Sequence, residues 1–465
     1  MAVLPTPKNG FKIEIPVVIA GAGACGLTAA LAARDEGAEV LVLEKDSNPQ
    51  GTTSMSQGEM CAAGTRMQKE IGIDDSPDLF FEDVMTRTEG KTDPELVDLV
   101  SRESGRAVEW LADQHGFPFE IDTDWRGFGH SRQRLHCLPA RNGQDLMGRL
   151  VQAAEAARAD LLTNAQVTNI YADADKSVTG VKVNRPDGST EDIGCGALVL
   201  ATCGFANNRE MISKYIPEMA EARNFTWENS LGDGIKWGME LGGAVADMSA
   251  FQGYGALAEP NQLLCNYNPI IDGGVMVNSL GERFSDEMKD VSGQGVIVMN
   301  QPGGVAFMVY DENLHNRYKH LHETRQAIDV GAVHTAHTLG DFCDIFKLPV
   351  HAMNKTLDTV RRIKSGKDRD PLGRDFVDTD QLEPPYVGIR VTGALFHTQG
   401  GLVVNENAQV KREDGTLLPN LFAGGGTARG ITGPTCSGYI PAAGICMAIT
   451  LGRLAGRGAA KLVQS

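Results

Sequence analysis

The chain has 465 residues, 42% hydrophobic and 22% charged, the balance of a globular protein with core enough for two or three lobes. A net charge of −17 argues against nucleic acid or an anionic membrane surface as partner, since both need basic patches. Nine cysteines form no C-x-x-C pair, which excludes zinc knuckles and redox or haem-attachment motifs; no metal site is expected, and unpaired thiols suit a reducing cytoplasm. The N-terminus, Met1 to Phe11, carries no apolar run long enough for a signal peptide and no stretch approaches the length of a membrane span, so a cytoplasmic protein without membrane contact is expected.

The first predicted strand, Val17-Val18-Ile19, runs into Ala20-Gly21-Ala22-Gly23-Ala24-Cys25-Gly26 and a helix-like run from Leu27 to Arg34. A second apolar strand, Val40–Leu43, ends on Glu44. Strand, glycine turn, helix, strand and acid together make a dinucleotide-binding unit. Gly21 permits the tight turn, Gly23 the approach of a pyrophosphate, and Gly26 the close packing of helix on strand. The helix N-terminus at Ala24 and Cys25 offers free N–H groups to phosphates. Glu44 is placed to accept hydrogen bonds from a ribose diol and to repel a 2′-phosphate.

Gly51-Thr52-Thr53-Ser54 reads as a small polar loop with further phosphate contacts. Residues 76–115 read as helical, with Ser76 as an N-cap and Leu96, Leu99, Val100, Val108 and Leu111 on a buried face. Asp145–Ala159 is another amphipathic helix. Segments 165–171, 178–184 and 190–193 alternate like a small antiparallel sheet, with a turn at Pro186–Ser189. A buried parallel-type strand, Ala197–Ala201, then ends in Thr202-Cys203-Gly204-Phe205. From about Met248 to Pro385, helices and loops rich in Gly, Pro and aromatics suggest an inserted lobe. The opening style returns with His397–Val404, a hairpin at Asp414-Gly415, the strand Asn420–Ala423 entering Gly424-Gly425-Gly426, and a helix from about Pro441 to Gly458.

Glycine-rich strand ends thus recur at Gly21–Gly26, Thr202–Gly204 and Ala423–Gly426. With Glu44 and Gly51–Ser54 they resemble the flavoprotein superfamily of fumarate reductases, succinate dehydrogenases and ketosteroid dehydrogenases, over nearly the whole chain. Phe396-His397-Thr398-Gln399-Gly400-Gly401-Leu402 is similar to the family's HTxGG strand, and Leu418–Gly425 to its flavin-contacting segment. Val277-Asn278, Gly281 and Arg283–Glu287 resemble its VN-GxRFxNE motif. The resemblance implies an α/β fold: a Rossmann-type FAD-binding domain from both chain ends, 1–245 and 390–465, with an α+β capping domain at 246–389. It also implies FAD contacts at Lys45, Thr52, Thr53, Ser54, Gly58, Val167, Thr202, Gly204, Gly424, Gly425, Ser437 and Gly438. Thr52–Gln57 lacks the histidine that bonds flavin in succinate dehydrogenases, so noncovalent FAD is expected.

The departures from the family are as informative. Three arginines of fumarate reductases fall here on Val291, Cys436 and Ile270, which argues against a small dicarboxylate substrate. Arg429, where the family has glycine, is a candidate to restore one carboxylate contact. Tyr439 matches the segment in which ketosteroid dehydrogenases carry a tyrosine that holds the substrate ketone. Tyr254 and His397 fall on substrate-binding histidines of fumarate reductases. His136, in a basic cluster with Arg132 and Arg141, is a further substrate candidate. Cys436 has nothing near it in sequence to activate a thiol, and His315, His320, His322, His334 and His337 read as surface helix residues rather than a metal cluster.

The expected activity is FAD-dependent dehydrogenation of a carbon–carbon bond next to a carbonyl, in a cyclic or steroid-like ketone. Tyr439 and the Gly438 backbone orient the carbonyl, and His397 or Tyr254 moves the proton. An ene reductase for an unsaturated acid or enone is the alternative, and a flavin-binding sensor or electron-transfer protein a third reading. The electron acceptor is open.

Overall fold

A computed structural model describes residues 2–376 and 378–465, in two compact units. The first comprises 2–217, Thr226–Phe251 and His397–Ser465; the second comprises Glu218–Phe225 and Gln252–Phe396. Glu218–Phe225 thus joins the second unit, a crossing that the boundaries 246–389 did not include.

The first unit is built on a sheet of nine described strands. Ile13–Ala20 lies at its centre, parallel to Val40–Leu43 on one side and to Thr190–Leu200 on the other. The chain's alternating segments and its second buried strand are one element: Thr190–Leu200 pairs antiparallel with Val178–Asn184 through residues 190–194, then parallel with Leu417–Ala423 through 198–200. One long strand serves two partners in turn on the same edge, which is why its pattern changes midway from alternating to continuously apolar.

Ala24–Asp35 packs against the closing helix, Ala443–Gln464, which runs further than the expected end at Gly458. The contact is backbone to backbone. A Cβ on Gly456 would stand 2.1 Å from Ala29 O, and one on Gly452 2.5 Å from Cys25 O. Leu27 and Leu31 are wholly buried beside this seam, each contributing about 2 kcal/mol of apolar burial.

The helical region divides into Pro77–Arg87, capped by Ser76, and Pro94–His115, capped by the Asp93 carboxylate and closed by Gly116 at φ +70°. The third amphipathic helix is Gly143–Ala156, because Asn142 accepts the Asp145 N–H and starts it two residues early. Gly51–Ser54 is not a loop but a single helical turn, too short to show any periodicity.

The second unit contains the sheet that an α+β cap implies, whose strands the alternation of helices and loops along the chain did not locate. Val305–Asp311 pairs antiparallel with Val275–Val277 and with Tyr386–Thr398. Its buried charges are matched: Arg283 binds Glu287 and Asp370, and Arg374 also binds Glu287. His334 lies on the strand His334–Ala336, not on a helix, and His315 is half-buried on Glu312–Tyr318. No group of metal-binding side chains occurs among the described residues, and no described helix is long and apolar enough to cross a membrane.

Candidate active site

At the carboxyl ends of the parallel strands the first unit holds a cavity. Gly21 turns away from the end of Ile13–Ala20 at φ +101°, its N–H bonded to Leu43 O at 2.8 Å; a Cβ there would lie 2.4 Å from Ala201 O. Gly26 allows the helix to sit on this turn, since a Cβ would fall 1.9 Å from Gly21 O. Gly23 differs: a Cβ on it would meet no atom of the described residues within 4 Å, so that its surface faces open space at the start of Ala24–Asp35. That is the approach a pyrophosphate requires.

Glu44 closes the second strand. Its Oε2 accepts the Ala22 N–H at 2.7 Å and its Oε1 the Asp46 N–H at 2.9 Å. Burial pushes its carboxyl above the usual carboxylate range, and the two N–H donors pull it back. Each oxygen keeps a lone pair for a ribose hydroxyl.

Of the residues expected to hold FAD, Gly21, Gly23, Ala24, Cys25, Glu44, Lys45, Thr52, Thr53, Val167, Thr202, Gly424 and Gly425 line this cavity. Burial pushes the Cys25 thiol to about 12, leaving it an inert wall group. Thr202 is fixed by Thr427 Oγ1 on its N–H, and its Oγ1 accepts the Gly234 N–H. The remaining six stand outside the lining. Gly26, Gly58, Gly204 and Gly438 are close-packing positions, where a Cβ would press on Gly21 O, Asn142 O, Thr398 Oγ1 and Thr432 O. Ser54 turns its hydroxyl onto Gly51 O, and exposed Ser437 pairs with Thr435.

Sequence reasoning missed a wall supplied by Thr226–Phe251. Trp227 Nε1 and Asn229 Nδ2 each donate to the Asp46 carboxylate at 2.8 Å, and Lys45 Nζ donates to Asn229 Oδ1. On the helix Asp233–Glu240, Asp233 Oδ1 and Trp237 Nε1 are buried one turn apart in the cavity lining with no hydrogen-bond partner among the described residues, Lys236 Nζ standing 3.9 Å from Asp233 Oδ1. A buried acceptor and donor left unpaired are costly unless a ligand meets them. Together with open Gly23 and the spare lone pairs of Glu44, they fit the polar groups of a dinucleotide such as FAD. Only Gly232-Asp233-Gly234, a turn opening a helix, hinted at this wall in the sequence.

The candidates for chemistry separate. His397 and Tyr439 come together, their rings edge to face at 6.2 Å. Burial pushes the His397 imidazole down to about 4 and the Tyr439 phenol well above its ordinary value. Both are therefore neutral near pH 7. His397 Nδ1 lies 3.4 Å from Thr398 O and 3.3 Å from Gln399 Nε2, so each tautomer has a partner. Arg429 does not offer itself to a carboxylate: its Nε donates to Asp247 at 2.6 Å and its Nη1 to Asp93 at 2.7 Å. His136 is not in a solvated basic face. It is fully buried, with Nε2 on Thr65 Oγ1 at 2.9 Å and Nδ1 on Arg134 O at 2.8 Å. Tyr254, in the second unit, donates its hydroxyl to Cys265 O at 2.7 Å and packs against Tyr267 and Phe396.

Comparison with known proteins agrees with this arrangement. The family profile described as FAD binding domain matches residues 16–439. The chain is 29% identical over 450 residues to a probable fumarate reductase of Shewanella frigidimarina, covering 96% of this chain and 74% of that protein. It is 28% identical over 472 residues to a urocanate reductase of Eggerthella lenta, covering 99% and 77%. The open conformation of a flavocytochrome c3 fumarate reductase superposes with a TM-score of 0.84 at 26% identity, over 98% of this chain and 80% of that one. A 3-ketosteroid-Δ4-(5α)-dehydrogenase from Rhodococcus jostii RHA1 shares the fold at a TM-score of 0.77 and 23% identity, over 98% and 100%.

Proposed function

The chain belongs to the FAD-binding-domain family and is an FAD-dependent oxidoreductase of CH–CH bonds; on that premise we propose that it introduces an α,β double bond into a cyclic or steroid-like ketone. The observation that carries this is the neutral pair His397 and Tyr439, together with the engagement of Arg429 by two carboxylates. A carboxylate substrate calls for a free cation; a ketone oxygen calls for a neutral donor.

Bound FAD supplies the acceptor for the β-hydride. The Gly23 turn, Glu44, Thr52, Thr202 and Gly424–Gly426 hold it, with Asp233 and Trp237 meeting its polar groups. Tyr439 donates its O–H to the substrate carbonyl, and this bond strengthens as charge builds on the enolate oxygen. His397 takes the α-proton on Nε2 while Nδ1–H donates to Thr398 O. An imidazole held near 4 is a weak base, so the proton moves only when the phenol has acidified the α-carbon. Absence of histidine from Thr52–Gln57 supports noncovalent FAD, which acid precipitation then releases into the supernatant. Nine unpaired cysteines support a reducing compartment.

Anaerobic mixing with 3-ketosteroids or cyclohexanones tests the reading: the flavin band bleaches, and Tyr439→Phe slows bleaching by about 10²–10³-fold with FAD retained. Full-speed bleaching in Y439F removes the phenol from the mechanism. A second reading, reduction of an enone or unsaturated acid, is favoured by the relatives named as fumarate and urocanate reductases. It requires that only dithionite bleaches the flavin and that enones or unsaturated acids restore it.

A further inference from the structure

We propose that His130 is a positioning residue for Tyr439, acting through the backbone of the turn that carries the phenol; the inference rests on Tyr439 being the carbonyl donor. Tyr439 lies between the 3-10 turn Cys436–Gly438 and the closing helix. Two carbonyls of this short connection are held from outside it. Arg87 Nε donates to Tyr439 O at 3.2 Å, and His130 Nε2 meets Pro441 O at 3.0 Å.

The chemistry of the partners fixes the tautomer. Pro441 O only accepts, so Nε2 carries the proton and Nδ1 is left as an acceptor. Arg134 Nη1, which only donates, stands 3.5 Å from Nδ1. Arg134 is itself fully buried and gripped by Asp75, at 2.8 and 2.7 Å, and by Asp83. Asp83 Oδ2 also accepts the Ser131 N–H at 2.7 Å, which ties the His130 segment to the helix Pro77–Arg87. A continuous chain of directed bonds therefore runs from Asp83 through Arg134 and His130 to Pro441 O.

Steric fit allows this segment no slack. Gly127 has φ +87° and Gly129 φ +82°. A Cβ on Gly127 would come 2.8 Å from His130 Cδ2 and 3.3 Å from Pro441 Cβ; one on Gly129 would stand 3.3 Å from Arg87 Cδ. The loop is moulded onto the two groups that hold the Tyr439 turn. His130 is 2% exposed, so it acts on substrate only by setting where the phenol stands. Removing its N–H leaves Pro441 O buried and unpaired, and the turn moves to find another donor.

The test compares His130→Leu, which removes the donor, with His130→Gln, whose amide can still donate to Pro441 O, in FAD-loaded enzyme. Expected for H130L is a crystal structure in which the Tyr439 ring has left its position 6.2 Å from His397. Its kcat with a 3-ketosteroid or cyclohexanone falls about ten- to a hundredfold, with KM and FAD content little changed. H130Q restores both the ring position and most of the rate. In a Y439F background, H130L costs less than about twofold more, because both changes act through one phenol. An unmoved ring in H130L, an H130Q as impaired as H130L, or an H130L factor that multiplies undiminished onto Y439F overturns the inference and leaves the role of Tyr439 standing. A fully active Y439F overturns that role, and this inference with it. Should H130L not accumulate, His130→Ser replaces it in the same readouts.

Discussion

Ala22 donates its N–H to Glu44 Oε2 at 2.7 Å, joining the glycine turn directly to the acid that ends the next strand. One carboxylate thus fixes the glycine turn and, in the proposed binding mode, also presents lone pairs to the ribose. Glu44→Ala removes both functions. Loss of one charge-assisted acceptor from a half-buried site is worth about 1.5–3 kcal/mol, so FAD affinity drops by about tenfold to a hundredfold. Titration of apoprotein by flavin fluorescence quenching measures this; an unchanged dissociation constant would show that Glu44 does not face the cofactor.

Gly23 and Gly26 separate binding from folding. Gly23→Ala adds a methyl into space that no chain atom occupies, at φ −73° where alanine is at ease. Apoprotein stability then changes by no more than about 0.5 kcal/mol, while FAD binds about tenfold or more weakly because the methyl enters the path proposed for the pyrophosphate. Gly26→Ala instead drives a methyl to 1.9 Å from Gly21 O, which costs about 3 kcal/mol of folding stability whether or not FAD is present. Melting temperatures with and without FAD distinguish the two. Equal losses in the apoprotein would deny that Gly23 is a ligand-facing position.

The opening unit was legible in the sequence because Gly21, Gly26 and Glu44 answer to neighbours within one supersecondary motif. What escaped depends on distant partners. Arg429 looked available for a carboxylate, yet Asp93 and Asp247, far away in the chain, claim it. His136 sat in a basic run, but Thr65 and the strand pairing Met60–His136 bury it. Asp233 and Trp237 carry no dinucleotide signature, and only the return of Thr226–Phe251 to the first unit brings them to the cavity. Thr190–Leu200 was divided because periodicity reports which faces are buried, not whether the strand continues.

Arg429 supplies a test of substrate charge. Its side chain is 16% exposed and joins Asp93, the N-cap of Pro94–His115, to Asp247. Arg429→Met leaves two largely buried carboxylates without their cation and costs about 3 kcal/mol of stability. The KM for a ketone and for an unsaturated acid then shift together, if they shift at all. A KM that rises tenfold or more for the acid alone would mean that the guanidinium leaves Asp247 to bind substrate.

Three histidines set an acid limit on stability. Burial pushes His130, His136 and His397 down to about 4, while in the unfolded chain each titrates near 6.5. Between these values the unfolded state binds protons that the folded state refuses, so stability is complete above pH 6.5 and is lost as pH falls towards 4. Each histidine contributes up to about 1.4 kcal/mol per pH unit across that window, and neither adds further slope below it. Urea unfolding at a series of pH values measures the slope, and His136→Gln, which cannot be protonated, removes its share. A folding free energy that stays flat from pH 7 to 5 would mean that all three imidazoles take up protons in the folded state, which the donors around His130 forbid: Arg134 Nη1 directed at Nδ1 leaves no acceptor for a second proton.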